Sequence, residues 1–216
     1  MDGFERRKEQ SKEDIRKAAW ELFGQFGVDR VSMAEIARKA RVSQATIYNN
    51  FGSKDALVQE FVAGAVEHLV TQAEAVLAPN LPYLEKMGVF LQFIADMLAS
   101  GRSPTAETTL FGSSVDVQND PEIQKIRLAA RAKMTGLMLN LVTEGRQQGQ
   151  VDPRISEAAL AIYFGAFMDI FSHPELQPRY FQNPAIVQEL GGLMMFGLKG
   201  DNDRDDQQQG GRPITA

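Results

Sequence analysis

Between Ser32 and Lys54 the chain reads SMAEIARKARVSQATIYNNFGSK, and its hydroxyl, amide and phenol groups are spaced to project from one short helix. Gln44, Thr46, Tyr48, Asn49 and Asn50 share an outer face, opposite Ile47 and Phe51, which lie four residues apart on a buried one. The outer face offers donors and acceptors with almost no charge. Such a face suits hydrogen bonding to base edges and phosphate oxygens better than it suits simple solubility. Asn49 has the amide geometry to bond adenine at two atoms, and it is equally equipped to bind a phosphate. Lys54 stands beside the turn that follows.

The helices that must hold these groups are written in the same stretch. Ser32 followed by Glu35 is a capping box, in which a hydroxyl and a carboxylate satisfy free N–H groups where a helix begins. Met33, Ile36, Ala37 and Ala40 follow at helical spacing, Arg41-Val42 makes a turn, and Ser43 caps the polar-faced helix. Gly52 ends that helix in a left-handed conformation that glycine adopts cheaply, and Ser53-Lys54-Asp55 starts another. Upstream, about Lys12 to Phe26, a helix carries Ile15, Ala18, Ala19, Leu22, Phe23 and Phe26 on one stripe, with Trp20 beside it. The helix from Ser53 continues through Leu57, Phe61, Val62 and Leu69 to Leu77, where Pro79-Asn80-Leu81-Pro82 stops it. It is long enough to bridge two domains.

These segments closely resemble the DNA-binding domain of the TetR family of bacterial transcriptional regulators, from about Lys12 to Glu60. The resemblance rests on Leu22-Phe23-Gly24-Gln25-Phe26-Gly27, Val31-Ser32-Met33, Val42-Ser43, Thr46-Ile47-Tyr48 and Phe51-Gly52-Ser53-Lys54-Asp55. It implies that Thr46, Tyr48 and Lys54 grip the phosphate backbone while Gln44, Ala45 and Asn49 face bases. Ser32 and Ser43, at the helix starts, complete the DNA-binding candidates. Asn49 and Asn50 depart from the family pattern, where His, Tyr or another aromatic is frequent, so an operator sequence does not carry over.

A net charge of −5 over 216 residues looks wrong for a DNA binder until its distribution is read. Residues 1–60 hold 11 Lys or Arg against 10 Asp or Glu; the remainder hold 12 against 18. A weakly basic head on an acidic body moves the burden of affinity onto local contacts. Arg6, Arg7 and Lys8 precede the first helix as a basic arm or a merely solvated terminus. Apolar residues at 44% and charged ones at 24% are ordinary for a globular protein. The chain has no cysteine, which removes disulfides, thiol catalysis and thiolate metal sites. MDGFERRKEQ has no signal-peptide core, and the longest apolar stretch, 158–171, is too short to span a bilayer and contains Asp169. A cytoplasmic protein is expected.

All nine prolines lie at or after Pro79 and punctuate helices expected at 82–100, 106–113, 121–148, 155–172 and 184–199. The class is all-α: a flexible arm (1–11), a three-helix helix-turn-helix domain (12–56), a helical effector-binding and dimerisation domain (57–199) and a disordered tail (200–216). Phe90, Phe93, Met97, Phe111, Met134, Met138, Phe164, Phe167 and Met168 are core-type residues whose number also permits an adaptable apolar cavity. The resemblance implies that a small effector occupies it.

The helix near 155–172 has a bulky face (Leu160, Tyr163, Phe164, Phe167, Phe171) and a smaller one (Ala158, Ala161, Ile162, Gly165, Asp169), which suits close helix approach. The last helix is apolar around much of its girth through Ile186, Val187, Leu190, Leu193, Met194 and Leu198. By resemblance these two helices form a four-helix bundle across a homodimer, with Ala161, Ile162, Gly165, Asp169, Ile186, Leu190, Leu193 and Met194 at its interface. Asp169 pairs across that dimer, contacts a cationic effector or faces water. His68 and His173 lack an acidic cluster at ligand spacing, Gly191-Gly192 has no preceding strand, and no nucleophile elbow or phosphate loop occurs. No metal, cofactor, membrane partner or catalytic activity is expected.

The reading is therefore a DNA-binding regulator, a repressor released from a palindromic operator by an apolar effector. Its rival is a helical small-molecule-binding protein or enzyme whose helix-turn-helix is only packing. The uncharged polar face of the second short helix favours DNA, because packing alone would leave that face free to be charged or apolar.

Overall fold

The computed structural model describes residues 3–99, 119–171, 185–186 and 189–193, and the side chains of these except residues 4, 97–99 and 167–171. Among the described residues are seven long or short α-helices and no strand. They are α1 (Gly3–Phe26), α2 (Met33–Ala40), α3 (Gln44–Phe51), α4 (Lys54–Leu77), α5 (Tyr83–Ala99), α6 (Pro121–Gln147) and α7 (Glu157–Phe171). The helix expected at 106–113 and the tail from 200 onward lie outside the described residues. Of the last expected helix, residues 185–186 and 189–193 are described and are helical.

Residues 3–11, expected as a flexible arm, are instead the first turns of α1. No apolar stripe announces this extension, which is held by local polar pairs. Arg7 Nε donates to the Gly3 carbonyl at 3.1 Å, Gln10 donates to Asp14 at 3.0 Å, and Lys12 lies 4.0 Å from Glu9. Such three- and four-residue pairs each add a few tenths of a kcal/mol to an exposed helix, roughly 0.2–0.5.

Helices α1 to α3 enclose a small core of Ile15, Ala18, Ala19, Phe23, Val28, Val31, Met33, Ile36, Ala37 and Ile47, all buried. The start of α4 closes it with Leu57, Val58, Phe61 and Val62. Phe61 receives Trp20 and Phe23 edge-on, with ring centroids 5.1 and 5.3 Å away. Gly64 leaves room for the Trp20 ring, since a Cβ there would stand 3.2 Å from Cζ3.

The remaining length of α4 belongs to a second core with α5, α6 and α7. Antiparallel pairing of α5 and α6 follows from two contacts at one end: Lys86 Nζ bonds Glu144 Oε2 at 2.5 Å, and the Tyr83 ring packs on Gly145. At the other end Gln59 of α4 donates to Asp120, the N-cap of α6, at 2.9 Å. Helices α4 and α6 therefore run parallel. Asp120 also accepts from the backbone N–H groups of Glu122 and Ile123, and Pro121 occupies the first helical turn.

The loop after α6 is tied at several points. Gln148 caps the start of α5 by accepting from Tyr83 N–H at 2.8 Å, and Gly149 adopts a φ of 68°. Arg146 donates to the Ile155 carbonyl. Helix α7 returns along α6, where Gly165 lies under Arg131 Nη2, 3.1 Å from the place a Cβ would take. Gly165, expected to face a partner helix, is thus buried within a single chain. The helical stretch 189–193 meets α5: a Cβ on Gly191 would stand 2.8 Å from Leu91 Cδ1.

Gly145 is the tightest of these approaches, because a Cβ there would meet the Tyr83 ring at 2.7 Å and Val151 Cγ2 at 2.8 Å. We expect Gly145→Ala to destabilise the chain by about 1–3 kcal/mol, as overpacking does, in urea unfolding with an unchanged slope. The Tyr83 hydroxyl is buried with no hydrogen-bond partner among the described residues, and burial pushes its pKa up to about 12. Tyr83→Phe should therefore cost nothing or stabilise, since it removes an unsatisfied group. A loss above about 1 kcal/mol in the same measurement would show that the hydroxyl has a partner.

Candidate nucleic-acid interface

The short helices are fixed at their ends before any partner is considered. Ser32 Oγ accepts from Glu35 N–H at 3.3 Å, and Glu35 Oε2 accepts from Ser32 N–H at 2.8 Å, so the expected capping box is complete. The Ser32 hydroxyl also donates to Glu35 Oε2 at 2.7 Å. Hydrogen bonding by Ser32, first through its hydroxyl and then through its backbone, holds the Glu35 carboxyl below the usual range. Helix α2 stops at Arg41, which takes the left-handed conformation (φ 57°, ψ 38°) without being glycine. Its strain is offset by N–H bonds from Arg41 and Val42 that close the last turn.

Two residues later Ser43 caps α3, with Oγ accepting from Thr46 N–H at 3.0 Å and lying 2.8 Å from the Thr46 hydroxyl. Gly52 ends α3 with φ 80° but ψ −48°, outside the left-handed helical basin that the sequence suggested. Its N–H bonds the Tyr48 carbonyl at 2.8 Å. Ser53 then caps α4 through Ala56 N–H at 3.0 Å.

With its ends fixed, α3 turns one face inward and one out. Ile47 is fully buried at 0% exposure, whereas Tyr48 is 48% exposed. Gln44, Ala45 and Asn49 are exposed beside Tyr48, Ser32 and Ser43 are exposed at the caps, and Thr46 and Lys54 are half-buried. All eight DNA-binding candidates thus lie on or beside α3 and at neighbouring caps. Asn50 does not join them: its amide donates to the Thr46 carbonyl at 2.9 Å and is used within the helix.

Arg16, which the sequence reading passed over, positions this helix from α1. Its Nε donates to Glu60 of α4 at 2.9 Å, and its guanidinium lies 5.6 Å from the Phe51 ring centroid at the end of α3. The bond to Glu60 is also the main reason its pKa rises above the usual arginine value. Lys39 of α2 pairs with Glu21 of α1 at 2.8 Å. Two charged contacts therefore hold the α2–α3 unit on α1 and α4. An eight- to twelve-residue polar–apolar pattern offers no signal for either, because the partners are distant in sequence.

The body contains the expected apolar residues in mixed positions. Phe90, Met134, Met138 and Phe164 are buried, and Phe93 is half-buried with its ring 6.1 Å from that of Phe90. Met97, Phe167, Met168 and Asp169 belong to helices whose side chains are not described at those positions, and Phe111 and Met194 lie outside the described residues. Of the interface candidates, Ile162 is 74% and Leu193 68% exposed; Ala161, Ile186 and Leu190 are half-buried. Among the described residues no cluster of His, Asp or Glu could hold a metal ion, and no helix is long and apolar enough to cross a membrane.

A capped three-helix head with an outward polar helix, carried on an antiparallel helical body, defines a helix-turn-helix protein. Residues 15–61 match the model of the bacterial regulatory proteins of the TetR family. It is 32% identical over 73 residues to the uncharacterized HTH-type transcriptional regulator YhgD of Bacillus subtilis, covering 34% of this chain and 38% of that relative. It is 21% identical over 175 residues to the HTH-type transcriptional regulator UidR of Escherichia coli K12, covering 79% of this chain and 86% of UidR. The fold is similar to that of a transcriptional regulator from Saccharomonospora viridis solved in complex with choline. The TM-score is 0.69 at 18% identity, covering 89% of this chain and 99% of that one.

Because the folded Glu35 carboxyl titrates below its unfolded value, its contribution to α2 is complete above the ordinary glutamate range and is lost as pH falls through the lowered value. In Ser32→Ala the Glu35 titration, followed by NMR, should move up toward the ordinary value, with the cap weakened by about 1 kcal/mol. An unmoved titration would mean that the capping box does not persist in solution.

Proposed function

We propose that the chain is a homodimeric transcriptional repressor that binds a near-palindromic operator through α3 and leaves it when a small molecule enters the helical body. One observation carries the DNA-binding part: α3 buries Ile47 completely while presenting Gln44, Ala45, Tyr48 and Asn49 outward, with no charged side chain in the helix. Base edges and phosphate oxygens are the partners that match such a surface. Thr46, Tyr48 and Lys54 serve the phosphate backbone, and Asn49 serves a base.

Dimerisation is supported by apolar side chains that one chain leaves uncovered, Ile162 on α7 and Leu193 in the last helical stretch. A single eight-residue helix reads few base pairs, and two-fold symmetry doubles the readout. Effector control is supported by the buried Met134, Met138 and Phe90, whose repacking can accommodate a guest, and by the choline complex of the solved relative.

The test begins with genomic fragments selected by the full-length protein. On the selected operator, Tyr48→Ala and Lys54→Ala should weaken binding alike across sequences, and Lys54→Ala should also lower its salt dependence. Asn49→Ala should cost about 1–3 kcal/mol on the operator and much less on random DNA. Wild-type operator affinity in all three variants would remove α3 as the reading surface. Ile162→Asp should yield monomers in light scattering with reduced operator affinity, and a wild-type protein monomeric at micromolar concentration would sink the dimer.

A further inference from the structure

The inward seam of α6 runs Ile123, Ala130, Met134, Met138 and Leu141, all buried, and the helical repeat places Arg127 in the same seam between Ile123 and Ala130. Arg127 Nε and Nη2 are sealed from solvent, and neither has a hydrogen-bond partner among the described residues. These two nitrogens carry parallel N–H bonds along one edge of the guanidinium. That edge is the fork that receives both oxygens of a carboxylate. Arg127 as a whole is half-buried, but its sealed edge leaves two donors unmet, which is costly, and a helix seam of apolar residues has no structural use for them.

We propose that Arg127 is the anion subsite of the effector site, and that the effector is an amphipathic carboxylic acid whose apolar tail lies along α6. This rests on the effector-binding reading above and names its ligand class. Met134 and Met138 lie seven and eleven residues beyond Arg127, about 10 and 16 Å along the helix, which sets the reach of the tail. Antiparallel α5, registered by the Lys86–Glu144 bond, brings Phe90 level with the Met138 turn. Gln59 meets Asp120 on parallel α4 and α6, so Arg127 stands level with the buried Val66 of α4. Burial also depresses the Arg127 pKa below the usual arginine value, as expected where desolvation is not repaid by a counterion.

The test uses the full chain and three eight-carbon probes, sodium octanoate, 1-octanol and octylamine, with affinities from calorimetry. Octanoate should bind at least about tenfold more tightly than octanol, and octylamine more weakly than either. Arg127→Met should reduce octanoate to the affinity of octanol, leave octanol within about twofold, and raise the ligand-free melting temperature by about 2–4 °C through loss of the unpaired charge. Arg127→Lys, which keeps the charge without the fork, should fall between. Equal binding of octanoate and octanol, absence of octanoate binding, or an octanoate preference that survives in Arg127→Met would each overturn the subsite. If Arg127→Met does not fold, the wild-type octanoate-to-octanol ratio alone decides. The regulator reading fails separately: octanoate that binds through Arg127 yet leaves operator affinity unchanged supports the subsite and removes effector control. Octanol and octanoate that bind equally and both release DNA do the reverse.

Discussion

One continuous helix contributes to two hydrophobic cores, and the rest of the molecule depends on that sharing. Leu57, Val58, Phe61 and Val62 of α4 complete the core of the head, while Val66, Val70 and Ala73 enter the core of the body. An uninterrupted helix transmits tilt along its length, with no glycine- or proline-rich linker between the two halves to absorb it. Phe61 is the fulcrum on the head side. Its edge-on contacts with Trp20 and Phe23, together with the Arg16–Glu60 bond, tie α4 to α1 over two successive turns. The head therefore follows α4 instead of swinging freely on it.

The second attachment ties the body to the head half of the same helix. Gln59 donates to Asp120, whose other oxygen caps α6, so a single carboxylate holds both the start of α6 and its contact with α4. Backbone bonding from Ile123, followed by the Gln59 bond, keeps this carboxyl ionised below the usual range. Charge-assisted bonds of this kind are stronger than neutral ones, so one carboxylate secures both the cap of α6 and its contact with α4.

Legibility from sequence tracked the range of the interactions. The caps of α2, α3 and α4, their lengths and the inward Ile47 are set by residues within four positions of one another, and all were readable. The extension of α1 back to Gly3 was not, because residues 3–11 carry charge on every face and give no apolar period. Gly165 shows a different limit: a small residue announces close approach without saying which element approaches, and within one chain that element is Arg131. Arg127 was passed over among the polar residues of α6, since seven consecutive positions there contain three Lys or Arg. Only the burial of its Nε and Nη2 distinguishes it from solvated neighbours.

Placement of that arginine bears on how a ligand in the body could reach the head. Arg127 lies seven residues from Asp120, about 10 Å along α6, and Asp120 is bonded to α4 two residues before Phe61. A carboxylate drawn to Arg127 therefore acts close to the joint between the two cores, whereas a ligand confined to the Met138 turn acts a further 16 Å or so away. The first arrangement couples binding to the tilt of α4 through one carboxylate cap; the second must work through repacking of α5 and α6. Either way, release of DNA requires the ligand to bind one tilt better than the other, since equal affinity for both shifts nothing. An unpaired cation satisfies that requirement economically. Its desolvation is relieved only in conformations that bring the ligand oxygens onto the Nε–Nη2 edge, so a change of about one ångström in the position of α6 alters the strength of a charge-assisted pair much more than it alters dispersion contacts along an apolar tail.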